Sequence, residues 1–210
     1  MAECRHPPGV ARGQDGRYGA GVEGAEAPLV VAARTLSREL LGHLPLRLRH
    51  SSAVAARSIE LNDGFAADDS EALIAAAWLH DIGYAPTIRD TGFHPLDGAR
   101  YLLAVGWLDR VCGLVAYHSG AIFVASAWDL VDELAEFECE TGPVADVLTY
   151  ADQTVGPRGQ PMTIDHRIAD MLRRHGPASP NARAHEQRGR YLREVADRVE
   201  ARRPDEIRCP

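Results

Sequence analysis

The sequence contains no lysine; all 23 basic residues are arginine. A GC-rich coding bias explains that sufficiently, yet the chemical consequence stands. No side chain here can form a Schiff base, act as an amine nucleophile or serve as the lysine of a P-loop. Anion binding falls to arginine, backbone amides or metal ions. Cysteine is scarce as well. Cys4, Cys112, Cys139 and Cys209 make neither a CxxC pair nor a zinc-ribbon spacing. Free thiols of a reducing cytoplasm are the expectation. No stretch approaches the ~20 consecutive apolar residues of a membrane span, and the first residues lack the apolar core of a signal peptide. A cytoplasmic location and no membrane partner are therefore expected. A general excess of positive charge is missing too: the formal net charge is −7, which argues against nucleic acid as a partner.

Hydrophobic residues make up 45% of the 210 positions and charged residues 25%, enough apolar content for one sizeable core. Residues 1–28 are rich in glycine and proline and show no apolar periodicity, so a disordered extension is expected there, with one domain over 29–210. From Leu29 onward the spacing of apolar residues is helical. Helices are expected over Leu29–Leu41, Leu46–Asn62, Ala72–Asp81, from Pro95 to Gly106, Trp107–Tyr117, Trp128–Phe137, from Pro143 through Asp152, Ile164–His175 and Asn181–Arg203. Asp68, Asp69 or Ser70 can cap the third of these, and Gly83 is read as its stop. That helix is apolar on every side, which suits the centre of a bundle. The last, rich in Arg and Glu, reads as a surface helix. The one β-like run, Ala121–Val124, is short and isolated. The predicted fold class is all-α: a single-domain helical bundle.

The chemistry concentrates on a few histidines and aspartates. His80-Asp81 ends a wholly apolar helix, where a carboxylate is costly unless paired or metal-bound. Geometry adds partners. His50 lies 12 residues before Asn62, and His80 lies 10 after Ser70. At a rise of ~1.5 Å per residue, an antiparallel hairpin brings both to one end. His94 and His118 lie 12 residues either side of Gly106, so a second hairpin does the same for them. Two hairpins that match histidines at equal depth suit a metal site inside a bundle.

These residues together resemble the HD superfamily of metal-dependent phosphohydrolases, whose pattern is a His, a His-Asp pair and a distant Asp, all on helices. His50 matches the first, His80-Asp81-Ile82-Gly83 matches the family's "HDIG", and Asp152 matches the last. The binuclear branch, which includes HD-GYP phosphodiesterases and some di-iron oxygenases, carries two more histidines. His94-Pro95-Leu96-Asp97-Gly98-Ala99 matches its "HPxxGA" run and His118 the other. The resemblance spans roughly Arg47 to Gly156. It implies one or two divalent ions (Mn, Fe, Co, Ni or Zn, which suit imidazole and carboxylate) held by His50, His80, Asp81, His94, His118 and Asp152. Asp81 is placed to bridge, with His50, His80 and Asp152 on one ion and His94 and His118 on the other. Catalysis is expected to turn on Asp81, His94 and His118. A metal-bound water, its pKa lowered from 15.7 to about 7 in favourable sites, would attack the phosphorus of a small phosphomonoester or phosphodiester, nucleotide-like in kind.

The chain also departs from its relatives. No second His follows His118 and no Gly-Tyr-Pro comes after it, which argues against cyclic-dinucleotide cleavage. Tyr84 stands where nucleotidase members carry a Glu. Two rivals keep the same scaffold: a di-iron oxygenase, whose relatives often use a lysine that this chain lacks, and a non-catalytic nucleotide sensor. For the substrate, Arg57, seven residues after His50 and so on nearly the same helical face, and Arg158, in the loop Gly156–Gly159, are the candidate phosphate contacts. Asp97 either orients His94 or caps its helix. His6, His43, His166, His175 and His185 read as solvated or capping.

Overall fold

The computed structural model describes residues 26–176 and 178–202. They form helices throughout, with a lone bridge between Val155 and Pro161 as the only β-pairing among the described residues. The order is α1 (Pro28–Leu41), α2 (Pro45–Leu61), α3 (Ala67–Leu79), α4 (His94–Ala104), α5 (Asp109–Tyr117), α6 (Ala121–Ala127), α7 (Val131–Leu134), α8 (Pro143–Thr154), α9 (Ile164–His175), α10 (Pro180–Arg183) and α11 (His185–Arg202). Short 3₁₀ turns at Ile82–Tyr84 and His118–Gly120 follow α3 and α5. Of the extension expected over 1–28, residues 1–25 lie outside the described residues. Pro28 already belongs to α1, where a proline in the first turn loses no hydrogen bond. Prolines open α2, α4 and α8 in the same way.

The bundle is built around α3. Ala72, Leu73 and Ala75–Leu79 are buried on all sides, and α1, α2, α5 and α8 all pack on it. The three successive alanines let neighbouring backbones approach closely. Capping by Asp68 or Asp69 is not what starts this helix. Both lie in its first turn, where a negative charge meets the positive end of the dipole, and Ala66 holds the cap position. Nor does Gly83 stop it, since the helix spans Ala67–Leu79 and is capped by His80. Gly83 serves the packing instead. A Cβ there would lie 2.0 Å from the His94 carbonyl oxygen and 2.8 Å from the Gly98 nitrogen. Only glycine lets the start of α4 rest on the turn that carries Asp81.

Three elements differ from the sequence-based expectation. Ala121–Val124 is helical, since Ser119 and Gly120, both in the left-handed region at φ 54° and 67°, restart a helix immediately after α5. The helix expected over Trp128–Phe137 shrinks to Val131–Leu134, because Asp129 at φ 57° turns the chain; Asp tolerates that region better than most residues. The charged C-terminal helix is no surface strut: Gly189, Leu192, Val195 and Val199 are buried, and α11 packs along α8. The stretch Asp109–Ala127 has the length and mean hydropathy (1.2) of a membrane span, although it holds no unbroken apolar run of that length. It is interrupted at Ser119–Gly120 and 67% buried within the bundle.

Candidate metal centre

Six side chains from five elements meet at one end of the bundle. His50 comes from the middle of α2, His80 and Asp81 from the chain just past α3, His94 from the first position of α4, His118 from the turn after α5 and Asp152 from α8. They fall into two triads, His50–His80–Asp152 and Asp81–His94–His118, in each of which one ligand atom per residue lies within 4.8 Å of the others. Asp81 stands between the triads: Oδ1 is 3.6 Å from His80 Nε2 and 3.5 Å from His94 Nε2, and Oδ2 is 4.0 Å from His50 Nε2. The pairing of His50 with His80 and of His94 with His118, expected from helix lengths, is the arrangement found.

The hydrogen bonds behind the rings set the tautomers. His50 Nδ1 donates to the Gly156 carbonyl (3.1 Å), His80 Nδ1 to that of Ala77 (2.8 Å) and His118 Nδ1 to that of Val115 (2.6 Å). Each leaves Nε2 as a bare lone pair aimed at the centre. His80 Nε2 is buried with no hydrogen-bond partner. His50 Nε2 faces Asp152 Oδ1 at 2.8 Å, and His118 Nε2 faces His94 Nε2 at 3.3 Å. Lone pairs and carboxylate oxygens so crowded repel one another unless a cation or a proton sits between them. Nitrogen and oxygen donors at this spacing fit divalent ions with bonds of about 2.0–2.2 Å.

The charge states agree with that fit. Burial holds the imidazole of His94 well below its ordinary pKa, and burial together with His80 brings His118 down to about 4. Both are neutral at pH 7, as metal ligation requires. Burial alone would raise the two carboxyls. The Arg47 guanidinium beside Asp81 and the Arg167 guanidinium beside Asp152 oppose it and favour the charged form. Both carboxylates are therefore held ionised.

Sequence reasoning missed the groups that hold those carboxylates. Arg47 donates to Asp81 Oδ2 at 3.0 Å and lies 3.7 Å over the Tyr84 ring, which stacks on His94 at 4.1 Å. Tyr84 therefore links the guanidinium to the imidazole. Arg47 was findable, being one helical turn before His50 on the same face. Arg167 on α9 donates to Asp152 Oδ1 at 3.3 Å. Ser119 Oγ donates to Asp152 Oδ2, and Gln153 Nε2 reaches the same oxygen at 2.8 Å. The arginines singled out from the sequence lie elsewhere. Arg57 pairs with Glu60 at 2.6 Å, and Arg158 is exposed on its loop; neither lines the cavity over the metal centre. Asp97 neither contacts His94 nor caps α4 from its N-cap. It sits inside the first turn and accepts from the backbone of Thr91 and Gly92 and the Thr91 hydroxyl, pinning the loop before His94. Of the remaining histidines, His43 and His166 are exposed and His185 keeps Nδ1 buried without a partner.

Above the centre a cavity of about 310 Å³ opens, with Asp81, His94, His118 and Asp152 in its floor. Arg47, Arg167, Arg174 and Arg188 line it, with Phe93 and Trp128 as an apolar wall. A larger cavity of about 550 Å³, walled by Tyr117, Phe123, Leu148 and Tyr191, touches only His118 among the six. The smaller one is the site that the chemistry marks. A family model described as HD domain matches residues 47–202. Neither the curated proteins nor the solved structures gave a match.

Proposed function

From the premise that the chain belongs to the HD-domain family, we propose that it is a metal-dependent phosphohydrolase acting on a small, nucleotide-like phosphomonoester or phosphodiester. One observation carries the reading: six donor atoms in two triads converge with bare lone pairs beneath a cavity walled by arginines, in a chain of net charge −7. In this reading His50, His80 and Asp152 would hold one ion and His94 and His118 a second, with Asp81 between them. Divalent ions there would supply Lewis acidity toward phosphoryl oxygens and a water acidified enough to serve as nucleophile at neutral pH.

The remaining work belongs to the chain itself. The Nδ1 hydrogen bonds lock the imidazoles in one tautomer and one ring orientation, so binding does not have to order them. Arg47 and Arg167 hold Asp81 and Asp152 in place, and their remaining N–H groups can meet substrate oxygens. The Tyr84 ring, stacked between Arg47 and His94, excludes water from one side of the centre. The apolar wall of Phe93 and Trp128 suits the flat, uncharged portion of a nucleotide-like substrate.

The test is elemental analysis of the purified protein, then a phosphoester panel under each metal found, with and without oxygen. The expected outcome is phosphate or phosphomonoester release that persists anaerobically and accepts manganese or cobalt. Turnover that needs reduced iron and oxygen, with no phosphate released from any substrate, would replace the hydrolase with the oxygenase. Tight nucleotide binding without turnover under any metal would leave a sensor.

A further inference from the structure

The four arginines of the cavity are not equivalent. Arg47 and Arg167 are occupied by Asp81 and Asp152, and Arg174 is paired with Asp170 at 2.7 Å. Arg188 differs. Its Nε donates to the Ser119 carbonyl at 2.8 Å, and among the described residues no carboxylate lies within ion-pair distance of it. Burial lowers its pKa from the ordinary arginine value, and the Asp152 charge opposes that. Arg188 is half-buried and faces the cavity with no carboxylate against it, which leaves its charge available to an anion that enters.

The position of Arg188 is built. It comes from α11, whose buried stripe Gly189–Leu192–Val195–Val199 fixes the helix along α8. The carbonyl that it grips belongs to Ser119, which lies next to the ligand His118 and has its hydroxyl on the ligand Asp152. With Nε engaged there, both terminal nitrogens are left over, the pair that binds a carboxylate or phosphate in bidentate fashion.

With divalent ions in the two triads, the reacting phosphoryl group would have its charge offset by them together with Arg47 and Arg167, and Arg188 would be left for another group. We infer that Arg188 anchors a second anionic group of the substrate, which is therefore a small phosphoester bearing a carboxylate or a further phosphate. The cavity of about 310 Å³ lies at the small end of ligand sites and suits a compact doubly anionic molecule. The inference rests on the phosphoester reading, and the experiment separates the two.

The experiment measures calorimetric binding to the metal-loaded full chain with two matched pairs of probes. Glycerol 3-phosphate and 3-phosphoglycerate differ by one carboxylate; adenosine 5′-monophosphate and adenosine 3′,5′-bisphosphate differ by one phosphate. In at least one pair the doubly anionic member is expected to bind tenfold or more tightly, and the pair that shows it identifies the second anion. Arg188→Gln, which keeps a donor for the Ser119 carbonyl without the charge, should bring that ratio close to one; Arg188→Lys should retain part of it. Ratios near one in both pairs for the unaltered protein, or an unchanged ratio in Arg188→Gln at normal metal content and melting temperature, would overturn the inference. If the preference is present and Arg188-dependent but no phosphoester is turned over, the second-anion subsite stands and hydrolysis falls.

Discussion

The segment from α2 to the turn after α5 and the segment from α8 to α11 meet at the same cavity but contribute different chemistry. The first supplies five of the six candidate ligands, all within 69 residues counted from His50 to His118. The second supplies one, Asp152, and three of the four arginines over the centre, Arg167, Arg174 and Arg188. The ligand segment is held by backbone constraints: Gly83 under α4, left-handed Ser119 and Gly120, carbonyls behind three imidazoles. The arginine segment is held by an amphipathic helix and ion pairs. Metal chemistry tolerates errors of a few tenths of an ångström at most, whereas a guanidinium on a long stem adjusts to what it binds. Rigid placement belongs to the first segment and adaptable charge to the second.

The comparison breaks most sharply at Asp81. Asp81→Ala should abolish metal binding at neutral pH and lower the rate by about a thousandfold or more, about 4 kcal/mol in transition-state terms. Metal content equal to that of the unaltered protein would remove Asp81 from the centre. Gly83→Ala comes next. Its Cβ collides with backbone rather than a movable side chain, so a loss of stability of about 3 kcal/mol is expected, at the upper end for overpacking, together with displacement of His94. Urea unfolding and metal content check it, and a loss below about 1 kcal/mol would show that α4 can move aside.

His94→Ala and His118→Ala sharpen the division between the triads. Each should bring metal content down toward one ion per chain and reduce the rate while the first ion stays. Unchanged metal content with a raised KM would make them substrate contacts instead.

Acid should act through the ligand segment too. His118 titrates at about 4 in the fold and near 6.5 when unfolded. Between those values the unfolded chain binds more protons. Stability of the metal-free protein therefore falls as pH drops from 6.5 towards 4, by at most about 1.4 kcal/mol per unit from this group, and the contribution flattens below 4. A melting temperature of the metal-free protein that rises on acidification across that window would contradict the burial of a neutral His118.

The smallest effects are expected outside both segments' shared cavity. Arg57→Ala removes a surface pair with Glu60 and should change stability by less than about 1 kcal/mol and the rate less than twofold. His166→Ala should leave metal content as it was. A tenfold loss of rate in Arg57→Ala would mean that the substrate reaches well beyond the cavity described.

How much could be read beforehand follows the same division. The four histidines are legible because each hairpin keeps its pair in register through helix length, Asp81 because a carboxylate at the end of an apolar helix needs a partner, and Asp152 only through the resemblance to the HD pattern. The all-α class and most helix cores were legible from apolar spacing. Trp128–Phe137 misled because Asp129 adopts a left-handed turn that apolar periodicity does not report. Ala121–Val124 misled because three β-prone residues, Ile122, Phe123 and Val124, weigh little against the burial of Ala121, Val124 and Ala125 on one helical face. α11 carried its own signal, in Leu192, Val195 and Val199 spaced at three and four, under a dense layer of charge.

The sequence by itself determined that the chain is helical, that four imidazoles and the Asp81 carboxylate gather at the ends of two hairpins, and that any anion must be held without lysine. Those are consequences of residue type and of distances counted along single helices. Tertiary structure alone decided that Arg167, Arg174 and Arg188 face the centre. Arg167 lies 15 residues beyond Asp152, and Arg188 lies 69 beyond Ser119. No periodicity links positions so far apart. The meeting of Arg188 with Ser119 depends on the burial of α11 against α8, and that of Arg167 with Asp152 on the packing of α9 against both.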